Sequence, residues 1–187
     1  MNDQPVVVVV APGFEEVELL APVDILRRLG IEVVMAGVEG LSVQGSHGVT
    51  VRADMLLVDV DAEKFRGVIL PGGPTRLPEY PAVLGLVKDM HRDGKLVAAI
   101  CAAPLALEAA GVLRDRHITC YPAPDIRKQI TSVHSISEAP VVEDGHIITG
   151  RGPGAALDFG YALGAYLGCA DRIATLKKDM CYQSTAE

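Results

Sequence analysis

Short apolar runs alternate along the chain with longer stretches whose apolar residues recur every three or four positions. Val6 to Val10 is five consecutive valines, a β-branched run that suits a central strand buried on both faces. Ala11-Pro12-Gly13 ends it. A helix is predicted from Glu15 or Glu16 through Leu29, burying Val17, Leu20, Ala21, Val23, Leu26 and Leu29 and stopping at Gly30. Ile31 to Gly37 reads as a second strand. Leu41 to Ala53 alternates around Gly45 and Gly48 and reads as a hairpin off the main sheet. Gly67 to Leu70 is another short strand, broken by Pro71-Gly-Gly-Pro74, and Pro81 to Asp93 is helical with Val83, Leu86, Val87 and Met90 inward.

Leu96 to Ile100 offers no polar face to water and reads as a fully buried strand. It stops at Cys101, and Pro104 opens a helical pattern through Leu105, Ala106, Leu107 and Ala109, ended by Gly111. Further on, His117 to Tyr121 is a predicted strand and Pro122 to Ile130 holds a short helix. Val141–Glu143 and His146–Thr149 flank Asp144-Gly145, a strong hairpin signal. After the Arg151-Gly-Pro-Gly154 turn come helices over Ala155–Leu167 and Ala170 to about Met180, then a frayed tail to Glu187. Strands alternating with helices predict an α/β parallel-sheet sandwich with antiparallel hairpin appendages, a single domain over residues 1–187.

No stretch approaches the ~18 apolar residues of a spanning helix, and the Pro5–Pro12 run is too short and lacks the basic flank of a signal peptide. A cytoplasmic protein with no membrane partner is expected. A formal net charge of −7 argues against sequence-specific nucleic acid as a partner. Cys101, Cys120, Cys169 and Cys181 are widely spaced, form no C-x-x-C pair, and read as free thiols; no metal or cofactor is expected.

Strand, sharp turn and helix with a nucleophile at the turn is the layout of a nucleophile elbow. Ala99, Ala102 and Ala103 leave room for a turn that lifts Cys101 above the sheet edge, near the positive end of the next helix, where thiolate is favoured. In an open parallel sheet, ligands bind beyond the carboxyl ends of the strands. Three such ends carry special residues: Glu15, Glu16 and Glu18 after the valine run, Gly72-Gly73, and Cys101. The Gly72-Gly73 backbone with the N–H of Ala102 could form an oxyanion hole. Taken alone, Pro-Gly-Gly-Pro is equally well just a turn, the acidic trio a helix-dipole complement, and Cys101 a core filler. Their coincidence at one edge raises the joint reading. Spacing does not choose among the three glutamates.

Ala11-Pro-Gly-Phe-Glu-Glu-Val-Glu18, Pro22-Val-Asp24, Leu70-Pro-Gly-Gly73, Ala98-Ala-Ile-Cys-Ala-Ala-Pro104 and Arg151-Gly-Pro-Gly154 resemble the ThiJ/PfpI superfamily, in its deglycase branch, in the same order over nearly the whole chain. The resemblance implies a flavodoxin-like fold, a homodimer, a reactive Cys101, and a protonated Glu18 that donates to its thiolate. It makes Glu15 a second pocket carboxylate. Implied activities are glyoxalase-type conversion of methylglyoxal to lactate and deglycation of early glyoxal adducts on protein or nucleotide. The alternative is a non-enzymatic redox sensor or stress chaperone working through oxidation of Cys101. Three departures stand out. Ala102 replaces the histidine that follows the cysteine in protease-like branches, which argues against a Cys-His protease. Thr119-Cys-Tyr-Pro122 puts Tyr121 where many relatives carry an imidazole near the thiol. Gly45-Ser-His47 replaces a Cys-Ser-Arg segment of the dimer interface. His91, His117, His134 and His146 show no metal-ligand spacing, and Asp158 lacks a histidine to serve.

Overall fold

The computed structural model describes residues 4–73 and 76–183. Eleven strands are present among them: β1 (Val6–Val10), β2 (Val33–Gly37), β3 (Ser42–Gln44), β4 (Thr50–Arg52), β5 (Met55–Leu56), β6 (Gly67–Leu70), β7 (Leu96–Ile100), β8 (His117–Thr119), β9 (Ser135–Ser137), β10 (Val141–Asp144) and β11 (Ile147–Gly150). The α-helices are α1 (Glu16–Arg28), α2 (Pro81–Arg92), α3 (Pro104–Ala109), α4 (Pro124–Arg127), α5 (Ala156–Gly164) and α6 (Ala170–Asp179). Seven strands form one sheet in the order β10-β11-β7-β6-β1-β2-β5. Every pairing in it is parallel except β10 with β11.

The valine run explains the layering. All five side chains of β1 are buried, and because alternate residues point to opposite faces, Val7 and Val9 enter one core while Val6, Val8 and Val10 enter the other. The first core is closed by α2 and α3 through Val83, Val87, Met90 and Leu107. The second is closed by α1 and α5 through Leu19, Ile25, Leu26, Phe159 and Leu163. A polar residue on either face of β1 would be desolvated without a partner, so only an uninterrupted apolar run can occupy this place. None of the described helices is long and apolar enough to cross a membrane.

Two expectations need correction. The buried face of α1 runs through Glu18, Leu19, Pro22, Val23, Ile25 and Leu26, whereas Val17 and Leu20 are exposed by 50% and 42%. The strand predicted over His117–Tyr121 ends at Thr119 and pairs in parallel with β9, which hydropathy does not mark. The predicted β10–β11 hairpin is present and joins the main sheet, because β11 pairs in parallel with β7, while β3–β4 stands off as an antiparallel hairpin. The helix predicted to Leu167 keeps a helical backbone past Gly164 and breaks at Gly168, whose φ of +97° makes a kink before α6. The frayed tail falls largely on residues 184–187, outside the described residues, as do positions 74 and 75 of the glycine turn.

Close packing of α5 on α1 depends on Gly160, where an added Cβ would lie 2.7 Å from Ile25 Cδ1 and 3.1 Å from the Pro22 backbone. Gly160→Val is expected to destabilise the fold by ~1–3 kcal/mol through overpacking. Urea unfolding measures this, and a change below ~0.5 kcal/mol would show that the two helices part freely.

Candidate active site

Strands β7, β6 and β1 are neighbours in the sheet, so the loops at their carboxyl ends meet at one edge. Cys101 follows β7 directly with φ +65°, a left-handed conformation unfavourable for any residue with a Cβ. Two hydrogen bonds hold it there. Its N–H donates to the Gly150 carbonyl and its carbonyl accepts from Tyr121 N–H, each at 2.9 Å. The small side chains expected around the turn are present and buried at Ala102 and Ala103, and Pro104 opens α3. The N–H groups of Ala102 and Gly73 both act on the sulfur as hydrogen-bond donors.

Glu18 lies on the first turn of α1 and is fully buried. Its Oε2 accepts from Gly72 N–H at 2.9 Å. Its Oε1 is buried without an oxygen or nitrogen partner, and the carboxyl interacts with the side chain of Cys101. Gly72 sits between the two groups: a Cβ there would collide with Glu18 Oε2 and lie 2.6 Å from Cys101 Cβ. Gly73, at φ +108°, leaves no room for a side chain either, because a Cβ would strike the Gly13 carbonyl and lie 2.6 Å from the Glu15 nitrogen. The two glycines thus admit the β6 loop between the other two, and the Glu15 N–H to Gly72 carbonyl bond of 2.9 Å fastens it.

Burial pushes Glu18 up to about 7; the Cys101 hydrogen bond opposes this and the charge of Glu15 adds to it. Burial, followed by the charge and hydrogen bond of Glu18, pushes the Cys101 thiol up to about 12, against the pull of the Ala102 and Gly73 N–H groups. Burial and the Glu18 charge thus oppose the ionisation expected of a thiol at a helix end, and helix α3 spans only six residues. Between about 7 and about 12 the two groups together hold one proton and one negative charge, a property of the pair rather than of either residue.

The three glutamates have separate tasks. Glu15 caps α1, its Oε2 accepting from Glu18 N–H at 2.8 Å. Glu16 fastens the loop after β3: it accepts from His47 N–H and pairs with His47 Nδ1, each at 2.7 Å, and accepts from Ser46 Oγ at 3.2 Å. Burial works against its charge, but the His47 bonds prevail and hold it down at about 2. Glu15, Glu16 and His47 could together hold a metal ion among the described residues; the oxygens of Glu16 already serve the loop. Position along α1 carried a signal for Glu18, since Glu18, Pro22, Ile25 and Leu29 follow the spacing of one helical stripe.

Tyr121 reaches Cys101 only through its backbone. The residue is 43% exposed; its ring lies over Gly152, and it lines a cavity of about 360 Å³ with Arg151, Pro153 and Asp158, which Cys101, Glu18 and Glu15 do not line. Asp158 accepts from the Tyr182 hydroxyl at 2.5 Å. Cys120 is buried in the core beside Arg127, while Cys169 is partly exposed and Cys181 exposed. The other histidines pair with each other, His91 with His146 at 2.9 Å and His117 with His134 at 4.5 Å between rings.

A carboxyl whose pKa is higher folded than unfolded stabilises the fold fully below its unfolded value, and this contribution fades as pH rises through the folded one. For Glu18 the window runs from 4.5 to about 7, and the contribution at stake is roughly 3 kcal/mol. Wild type is expected to lose stability relative to Glu18→Gln across that window, as read by denaturant unfolding at a series of pH values. Parallel profiles would mean that Glu18 ionises normally.

The chain matches the model of the DJ-1/PfpI family over residues 4–165. It is 36% identical over 178 residues to protein dj-1beta of Drosophila melanogaster, covering 92% of this chain and 94% of that protein. The crystal structure of Drosophila melanogaster DJ-1beta superposes with a TM-score of 0.90 at 34% identity, covering 97% of this chain and 99% of the other. A deglycase of Pyrococcus abyssi is 36% identical, covering 80% and 90%, and a glutathione-independent glyoxalase of Caenorhabditis elegans is 33% identical, covering 89% and 90%. With its central parallel sheet and this sequence likeness, the chain belongs to the DJ-1/PfpI family.

Proposed function

We propose that the protein is a cysteine-dependent enzyme acting on reactive carbonyls, converting methylglyoxal to lactate or hydrolysing early glyoxal adducts. The observation that carries this reading is the buried Glu18–Cys101 pair at the strained turn, with Oε1 lacking an oxygen or nitrogen partner. The names of the Pyrococcus abyssi and Caenorhabditis elegans relatives support the substrate class.

In this mechanism the thiol proton moves to Glu18, and Oε1 becomes an O–H donor facing a thiolate. The thiolate attacks the aldehyde carbon, and the Gly73 and Ala102 N–H groups stabilise the oxyanion. Glu18 returns its proton to that oxygen, giving a hemithioacetal. As carboxylate, it then removes the carbon-bound proton and delivers it to the neighbouring carbon, while the hydroxyl proton passes to the oxygen of that carbon, leaving a thioester. Water hydrolyses the thioester to lactate and frees the thiol. With an early glyoxal adduct, the same attack gives a hemithioacetal; the hemiaminal carbon then becomes a carbonyl as its hydroxyl proton passes to the departing amine, and the same proton shift and hydrolysis release glycolate and the thiol. Glu15 keeps a second negative charge near the site, which favours the protonated form of Glu18. In this reading Tyr121 only positions substrate or holds a water, and moves no proton. A homodimer belongs to this proposal, with exposed Val17 and Leu20 of α1 and exposed Val49 beside Glu16 as the surface offered.

Methylglyoxal turnover is the test, with Cys101→Ser expected to reduce it to background. The active pair carries one proton, so kcat/KM is expected to rise with pH through about 7 and then level off. No turnover by folded wild type would discard the enzyme reading in favour of the redox one, and a flat profile from pH 5.5 to 8.5 would remove Glu18 from the proton path.

Tyr121→Phe is expected to lower kcat/KM by no more than about tenfold, the ~1.4 kcal/mol of one ordinary hydrogen bond. A variant as inactive as Cys101→Ser would make the phenol part of the chemistry.

A further inference from the structure

We propose that a cavity at the amino-terminal edge of the sheet, remote from Cys101, binds a small phosphate-bearing dianion. The cavity measures about 410 Å³ and is lined by Arg66, Gly94, Lys95, Tyr166, Leu167 and Gly168. Arg66 immediately precedes β6 and Lys95 immediately precedes β7. Gly67 pairs with Leu96 in parallel register, so the two cationic residues stand side by side on strands about 4.8 Å apart. Cys101 leaves the opposite end of β7, five residues or ~16 Å away.

The charge pattern is unusual for this chain. The protein carries a net charge of −7, yet both charged side chains lining this cavity are cations, and among the described residues neither has a carboxylate partner. Arg66 Nη1 donates to the Leu167 carbonyl at 3.3 Å, and its Nε is buried with no partner. Lys95 Nζ donates to the Ala62 carbonyl at 2.7 Å. Of the nearby acids, Asp93 is engaged by Arg92 at 3.1 Å, and Glu143 acts on Tyr166. Two cations answered only by neutral carbonyls leave a positive charge that a dianion matches. Arginine supplies a fork suited to phosphate oxygens, and lysine supplies a mobile point charge.

The backbone around the cavity is also open. The kink between α5 and α6 at Gly168 forms one wall. Gly94 and Gly168 have φ of +64° and +97°, and a Cβ built on either meets nothing within 4 Å. Tyr166 adds a half-exposed ring on which a sugar or base could rest.

The test titrates the full chain with inorganic phosphate at pH 7.5 and constant ionic strength balanced by chloride, following backbone amide shifts by NMR. Saturable shifts at Gly94, Lys95 and Gly168 are expected. At least tenfold weaker binding is expected in Lys95→Gln and in Arg66→Gln, with iodoacetamide labelling of Cys101 unchanged. Should Arg66→Gln fail to fold, Lys95→Gln carries the comparison alone. Shifts that never saturate, that chloride reproduces, or that survive Lys95→Gln unchanged overturn the proposal. A second arm uses adenosine monophosphate: equal affinity assigns recognition to the phosphate group, and tighter binding with shifts at Tyr166 assigns a nucleotide.

Discussion

One carboxyl group, buried beside one thiol with no cation acting on it, is the constraint around which the centre of this molecule is arranged. Glu18 has a single hydrogen-bond donor from the backbone, Gly72 N–H, and otherwise faces sulfur. Desolvation of that kind favours the neutral acid, and the nearby charge of Glu15 favours it further. Everything that brings the two side chains together has to be narrow. The β6 loop passes between them because Gly72 and Gly73 have no Cβ, and the Cys101 backbone is held at positive φ by partners on either side. A mobile site could not keep such a pair dry.

Rigidity comes from the sheet. β1 lies inside it with both faces covered, and β6 and β7 follow in parallel on one side. Their carboxyl ends therefore deliver α1, the glycine turn and the elbow to adjacent places without long connections. The two cores on either face are separate clusters, and among the described residues the partly buried Cys101 is the one side chain packed against both. The thiol thus belongs to the junction of the two layers, which is where a parallel sheet leaves an opening.

Much of this was legible in the residues. Consecutive valines, the Leu96–Ile100 run and the small residues around Cys101 state buried strands and a tight turn in local terms. Glu18 was harder, because three acids in one helical turn look alike unless each is placed against the stripe Pro22, Ile25 and Leu29; only the family resemblance singled it out. The assignment of Val17 and Leu20 to the core failed for the same reason, since a helix with apolar residues on more than one side does not declare which side turns inward. The pairing of β8 with β9 rests on polar segments sixteen residues apart and has no hydropathic signature. The response of Cys101 to its surroundings was also beyond local reading. The helix start is visible in sequence, whereas burial beside Glu18 arises only when distant segments meet.

Cys101 sets function and folding against each other at a single position. Its backbone conformation costs about 1–2 kcal/mol for any residue with a Cβ, and glycine alone escapes that strain. The greater freedom of glycine in the unfolded chain returns about 0.5–1 kcal/mol of that gain, and glycine also gives up the side chain that packs against both cores. Selection for heat resistance alone would therefore find little to gain at position 101, where strain and packing nearly offset, and the thiol persists at small cost to the fold.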